Sequence, residues 1–355
     1  MGSERGDEYK RPCPLGEVTG SKESDYSEAP QRATASRLVP THQADLPPEQ
    51  HGYRSGHDAL TAVKQVHSLL NTGHTQVIDA DLSAYYDCIP RAELLQSVSR
   101  RVIDRQVLHL IKMWLETPVE ESDGRGGTTR TTRSRDEKRG ISQGSPLSPL
   151  LSNLYMRRFV LGWKRLGYAE RFRAHIVNYA DDLVVCCREN AEEALQTMRQ
   201  IMTRLKLTVN EEKTHVCRLP EQYFDFLGYR FGCFYSFKTG KPYWGTCPSK
   251  KSVKRLIRLI HEQTAHRTCS LEAEELVESL NRMLRGWANY FKLGPVGKAY
   301  RSVDLYTAAR LRRWLCHKHK VHSGGYGRYT SEYVHGTLGL IQLTAWRRNL
   351  PWATA

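Results

Sequence analysis

No apolar run in the 355 residues approaches the roughly 18 needed to cross a bilayer, and the first 30 residues contain no apolar stretch of the kind a secretory signal carries. Those two absences predict a soluble, cytoplasmic protein with no membrane partner. Cysteine is present nine times, an odd number at irregular spacing, with Cys186 and Cys187 adjacent. That pattern fits reduced thiols better than a disulfide framework. The stretch Cys316-His317-Lys318-His319-Lys320-Val321-His322 is rich in metal-ligand residue types but matches no usual zinc spacing. Acidic residues are short relative to basic ones, 38 Asp and Glu against 53 Lys and Arg. The shortage is local: residues 241–355 hold 20 Lys and Arg against 7 Asp and Glu, which accounts for +13 of the net +15. A basic C-terminal third is suited to phosphate and to salt-dependent nucleic-acid binding, or is a solubilising surface. Apolar periodicity is missing from residues 1–50, which carry Pro12, Pro14, Pro30, Pro40, Pro47 and Pro48 among Ser, Glu, Arg and Gly. They read as a disordered or foreign segment.

Against this background one tetrapeptide stands out. Tyr179-Ala180-Asp181-Asp182 lies between the apolar runs 175–178 and 183–187, which predicts two strands with adjacent carboxylates at the bend. Like charges held close repel unless a cation lies between them, so the pair is either a solvated turn or half of a metal site. About 100 residues upstream a short β-type run, Thr75 to Asp81, ends in an acid-rich stretch with Asp79, Asp81 and Asp87. Acids from separate strand ends can together hold Mg²⁺, which needs only one or two carboxylates plus water and substrate phosphate. Between the two clusters, Gln143-Gly144-Ser145-Pro146 offers a tight loop with free amides ahead of a helix, an arrangement suited to a nucleotide or its phosphates.

Taken in order, these segments resemble the reverse transcriptase and maturase of bacterial group II introns. Asp81 and its surroundings resemble polymerase motif A, residues 143–146 motif B, Tyr179 to Asp182 motif C, Asn210-Glu211-Glu212-Lys213-Thr214 motif D, and Phe224-Asp225-Phe226-Leu227-Gly228-Tyr229 the primer grip. Five motifs in one order over about 180 residues are specific, where a lone Tyr-Ala-Asp-Asp is not. The resemblance implies an α+β polymerase palm of the right-hand type followed by a mainly helical thumb and maturase domain. It implies Asp81, Asp181 and Asp182 as catalytic metal ligands, with the backbone of Leu82 near the second of two Mg²⁺ ions, Mn²⁺ being a possible substitute. The spacing to Pro90 favours Asp81 over Asp79 as the motif acid. Tyr86 falls where the family places an aromatic against the sugar 2′ position, with a core tyrosine as the alternative. Gln143 and Gly144 would line the nucleotide, Lys213 would neutralise pyrophosphate or be a solvated loop lysine, and Phe226, Leu227 and Gly228 would form the primer grip.

In the basic tail, Leu280, Leu284, Trp287 and Phe291 recur at helical spacing and read as core, leaving Arg282, Arg285 and Lys292, with Arg312 and Arg313, for RNA. The expected partners are intron RNA, an RNA template, a DNA primer and deoxynucleotides. The expected domains are a non-homologous segment over 1–50, a palm over 51–235 and a thumb and maturase domain over 236–355. No match for the family's nucleotide-clamping fingers is found before residue 51, and no Cys-pair and His cluster of an appended nuclease follows the tail. Together these predict an N-terminally truncated or altered member of the endonuclease-lacking type. A working polymerase, a splicing cofactor built on a palm scaffold and an inactive product are all open at this point.

Overall fold

The structure, a computed structural model, describes residues 25–117, 119–122, 128–131, 137–142, 144–236, 238–322 and 325–346. In chain order the elements are helices α1 (Asp25–Ala44) and α2 (Ala59–Asn71), strand β1 (Gln76–Asp81), helices α3 (Tyr85–Cys88), α4 (Arg91–Ser99) and α5 (Arg105–Glu116), and strands β2 (Val119–Ser122) and β3 (Thr128–Thr131). Then come α6 (Ser148–Arg165), α7 (Tyr168–Arg171), β4 (Ala174–Tyr179), β5 (Asp182–Cys187), α8 (Ala191–Arg204) and β6 (His215–Arg218). The remainder comprises β7 (Phe224–Phe226), β8 (Tyr229–Tyr235), β9 (Pro242–Pro248), α9 (Lys250–Gln263), α10 (Ala273–Tyr290), α11 (Gly297–Lys318), α12 (Gly325–Arg328) and α13 (Leu343–Trp346). The chain divides into one compact unit of residues 1–65 with 76–216 and another of residues 66–75 with 217–355.

The first unit is an α+β palm. Its sheet has the order β4-β5-β1-β6, with β1 and β4 both antiparallel to β5. The central strand β5 buries five successive residues, Leu183 to Cys187, which is why it reads as an unbroken apolar run. Burial pushes the Cys187 thiol up to about 12 and Cys186 higher still, so both are inert packing groups. Helices α6 and α8 supply Tyr155, Phe159, Trp163, Met198 and Met202 to the same core as Ile78, Ala80 and Val185. The α6 side chains recur on one face, as a helix lying on a sheet requires. Helix α5 begins at Asp104, whose carboxylate accepts from Gln106 N at 2.8 Å and Val107 N at 3.3 Å. Strands β2 and β3 pair antiparallel with each other.

One expectation changes. Residues 25–44 are helical rather than disordered, and the segment to residue 50 belongs to the first unit. Among the described side chains of α1, Ala35 and Leu38 reach the core. Its end is tied by Asp45, which pairs with Arg101 at 2.5 Å and Arg157 at 3.1 Å. Strands β7, β8 and β9, part of which the expected palm over 51–235 takes in, form one three-stranded sheet of the second unit.

In that second unit the helices bury one shared stripe. Leu276, Leu280, Leu284 and Ala288 of α10 pack with Leu256 and Ile260 of α9 and with Tyr300, Val303, Leu311 and Trp314 of α11. Helix α9 starts at Ser249, whose hydroxyl accepts from Ser252 N at 3.1 Å. Among the described residues no helix is long and apolar enough to cross a membrane.

Phe159 is wholly buried against Trp163 in the centre of the first core. Phe159→Ala is expected to cost about 3–5 kcal/mol of stability, read as a lowered midpoint in urea denaturation.

Candidate active site

Sheet register places the acids. Asp81 ends β1 and has Asp182, the first residue of β5, as its direct partner. Asp79 faces Val184 instead, so of the two acids on β1 only Asp81 stands opposite a carboxylate. Tyr179 ends β4 opposite Asp182 on the other side, which leaves Ala180 and Asp181 as a two-residue hairpin loop. Ala180 has φ of 56°, a left-handed conformation costing about 1–2 kcal/mol for a residue with a Cβ. Its surroundings hold it there. The Asn178 side-chain nitrogen donates to Ala180 O at 2.9 Å and Asp182 O at 3.1 Å. Gly52 lies against the same turn: a Cβ on it would come within 2.5 Å of Ala180 N, so no larger residue fits.

The Asp81 end of β1 is fastened separately. Asp81 N donates to Thr214 Oγ1 at 3.1 Å, Asn210 N donates to Asp81 O at 2.8 Å, and Ser83 N donates to Thr208 O at 2.9 Å, while Leu82 bridges Val209. Residues 208–214 are thereby laid along the strand end. Lys213 Nζ comes to 3.9 Å from Asp81 Oδ2, with the two side chains 61% and 43% exposed. At that exposure the pair is screened and contributes little stability, leaving the lysine available to another anion.

After Ala84, itself at positive φ, the chain turns into α3. Tyr85 Oη donates to Ser152 O at 2.7 Å, and Tyr86 stands edge-on to it with ring centroids 5.6 Å apart. Tyr86 is only 8% exposed, and its hydroxyl donates to Tyr53 Oη at 3.4 Å. Burial first, then Tyr53 and the negative charge of Asp181, push the Tyr86 hydroxyl far above its ordinary range, so it stays protonated. Asp181 raises Tyr85 in the same sense, which puts both phenols within its field.

The loop before α6 docks on the same segment. Ile141 N donates to Tyr86 O at 2.9 Å, Gly140 N to Ile89 O at 2.8 Å, and Arg91 Nε to Gly140 O at 3.0 Å. Gly140 has φ of 86°, and a Cβ there would stand 3.2 Å from Asp87 O. Gly144 is exposed with φ of 99° and open space where a Cβ would lie. Ser145 Oγ donates to Gln31 Oε1 of α1 at 2.7 Å. Gln143 lies outside the described residues.

Register and hydrogen bonding thus gather Asp81, Asp181, Asp182, Tyr86 and Lys213 at one end of the palm sheet. Missed in the sequence were Asn178, Gly52, Tyr53, Asn153 and Thr214, which hold those groups. Among the described residues no three His, Cys, Asp or Glu side chains stand close enough to hold an ion by themselves. Hard oxygen donors on two strand ends still suit Mg²⁺, which completes its shell with water and phosphate.

In the second unit, Phe226 is buried at the end of β7, and Leu227 and Gly228, with φ of 50° and 77°, make the tight turn into β8. Tyr290 Oη donates to Leu227 O at 2.8 Å, and Ser252 Oγ and Ser249 N both donate to Gly228 O at 2.9 Å. The turn is rigidly held. Arg282 is exposed beside Glu278, Arg285 stacks on Trp346 at 5.9 Å, Lys292 is half-buried and Arg313 is exposed. Arg312 has structural work of its own: its Nε donates to Tyr329 O at 2.8 Å and its guanidinium lies over Tyr326 at 4.9 Å.

Residues 24–231 match the family model of reverse transcriptase (RNA-dependent DNA polymerase), and residues 253–333 match that of the group II intron maturase-specific domain. The first match includes α1, well upstream of the motifs. The chain is 27% identical over 237 residues to protein YkfC of Escherichia coli, covering 56% of this chain and 59% of that protein. It is 28% identical over 108 residues to an uncharacterized 91 kDa protein in the cob intron of Schizosaccharomyces pombe, covering 30% of this chain and 12% of that one. A telomerase structure from Candida tropicalis aligns with a TM-score of 0.46 at 11% identity, over 93% of this chain and 56% of its own. The chain therefore spans about three-fifths of its bacterial relative and a small part of the yeast one. On the match over most of its length, the chain belongs to the reverse transcriptase family and carries a group II intron maturase-specific domain after its palm.

Proposed function

We propose that the chain is an RNA-directed DNA polymerase that extends a DNA primer on an RNA template with deoxynucleotides, and that its second unit binds intron RNA to assist splicing. The observation that carries the reading is the register of Asp81 against Asp182 with Asp181 in the adjoining turn. A pure RNA binder has no use for clustered carboxylates beside an anionic ligand.

Asp81, Asp181 and Asp182 would hold two Mg²⁺, with Mn²⁺ as a possible substitute and the Leu82 backbone beside the second ion. When bound, the ions supply activation of the primer hydroxyl and stabilisation of the departing pyrophosphate. The protein's part is positioning. Tyr86, clamped by Tyr85, Tyr53 and the backbone of Ile141, offers a stiff aromatic edge suited to excluding a ribose 2′-hydroxyl. Gly144, and with it Gln143, suits close approach of the nucleotide. Lys213, held near Asp81 yet exposed, suits the negative charge that develops on pyrophosphate. Phe226, Leu227 and Gly228 serve as the primer grip, their backbone aim fixed by Tyr290 and Ser252.

For RNA, the exposed groups are Arg282, Arg285, Arg313 and the half-buried Lys292, reinforced by Lys250, Lys251, Lys254 and Arg258 along α9. Arg312 contributes by ordering the region around Tyr329 more than by touching phosphate.

Primer extension on an RNA template is expected for the wild type and to fall to background in Asp181→Ala, with binding of structured RNA retained. Extension by the variant at the wild-type rate would overturn the assignment, and RNA binding without extension by the wild type would favour a splicing cofactor. Replacing Arg282, Arg285 and Lys292 together by Gln is expected to weaken RNA binding. The same change should lower the slope of log affinity against log salt by about 0.7 for each phosphate no longer neutralised, measured by filter binding across a salt series.

A further inference from the structure

Asn178 is fully buried in β4, one residue before the Tyr179–Asp182 turn. Its side-chain nitrogen carries two hydrogens, and both go to carbonyl oxygens of the turn, Ala180 O and Asp182 O. Two acceptors need two donors on one short side chain. An amide nitrogen meets that demand, whereas a carboxylate, which only accepts, and an aliphatic group, which does neither, take these two donors away from the carbonyls.

The backbone of Asn178 is held from the outside. Its N–H donates to Glu49 O at 2.9 Å and its carbonyl accepts from His51 N at 2.8 Å, so residues 49–51 run parallel to β4 as a short added strand. Gly52 follows directly against Ala180. That added strand is bolted to α6 by two more buried amides: Gln50 Nε2 donates to Asn153 O at 3.1 Å, and Asn153 Nδ2 donates to Gly52 O at 2.6 Å. Gln50, Asn153 and Asn178 are all buried. Burying three carboxamides is costly unless their hydrogen bonds specify something an apolar core does not.

We infer that Asn178 is a positioning residue for the carboxylate turn, with residues 49–52 and Asn153 as its abutment. Asn178 touches neither metal nor substrate. It holds Ala180 in its left-handed conformation and ties the carbonyls on either side of Asp181. The directions in which the Asp181 and Asp182 carboxylates leave the backbone are thereby fixed from one side by an amide and from the other by the Gly52 backbone. The inference rests on the polymerase reading of the turn.

The test compares wild type, Asn178→Leu, Gly52→Ala and Val98→Ala, the last a core change in α4 remote from the turn that controls for general loss of stability. Amide hydrogen exchange is followed by mass spectrometry, and kcat, nucleotide KM and RNA affinity are measured in primer extension. Asn178→Leu and Gly52→Ala are each expected to speed exchange in peptides spanning residues 178–185 and to lower kcat by about 10- to 100-fold, with KM and RNA affinity unchanged. Val98→Ala is expected to do neither. Unchanged exchange in the turn, faster exchange without loss of kcat, or the same pattern in Val98→Ala would each overturn the inference. A wild type that extends no primer, with exchange still rising in the two turn variants, would refute the polymerase reading and remove the purpose assigned to Asn178.

Discussion

The antiparallel pairing of β1 with β5 is the constraint on which the site depends. Because side chains alternate along a strand, a slip of one residue would carry Asp81 to the other face of the sheet and set Asp182 opposite an apolar neighbour. The slip is opposed by the core, since it would turn Asp79 and Asp81 onto the face from which Ile78 and Ala80 enter the hydrophobic cluster, and would turn those two away from it. Hydrophobic burial thus sets the position of the acids, although none of the acids contributes to it. Repulsion between strand-end carboxylates is accepted locally and offset by packing elsewhere, as functional sites commonly require.

Around that register, polar contacts do the fine placement. Thr214 and Asn210 fix the Asp81 end, Asn178 and Gly52 the turn, and Ser152, Tyr53 and Ile141 the tyrosine pair. Most of these contacts join residues far apart in sequence, for example Asp81 with Thr214 and Gly52 with Asn153. The palm therefore holds a small charged site with uncharged groups, most of them buried.

Much of this was legible in the chain. The hairpin of β4 and β5 and the strand ending at Asp81 follow from apolar runs closed by acids, and α10 from the spacing of Leu280, Leu284 and Phe291. Helix α1 was not, since among its described side chains it meets the core through Ala35 and Leu38, and its end is tied by the ion pairs of Asp45, which have no periodic signature. The division into compact units at 216 has no local mark either, since it rests on the pairing of β8 with β9, which draws the primer-grip strands into the second unit. Asn178 reads only as the last residue of an apolar run, and nothing local marks it as the clamp of the next turn. Arg312 reads as one more charge in a basic run until its bond to Tyr329 is seen.

The proposed function requires Asp81, Asp181 and Asp182 to hold divalent cations together. Titration of the full chain with Mn²⁺, followed by electron paramagnetic resonance of the free ion, compares wild type with the near-isosteric Asp81→Asn. Saturable Mn²⁺ binding is expected of the wild type, strengthened by a deoxynucleoside triphosphate and lost in the variant. Equal binding by the two proteins would contradict it.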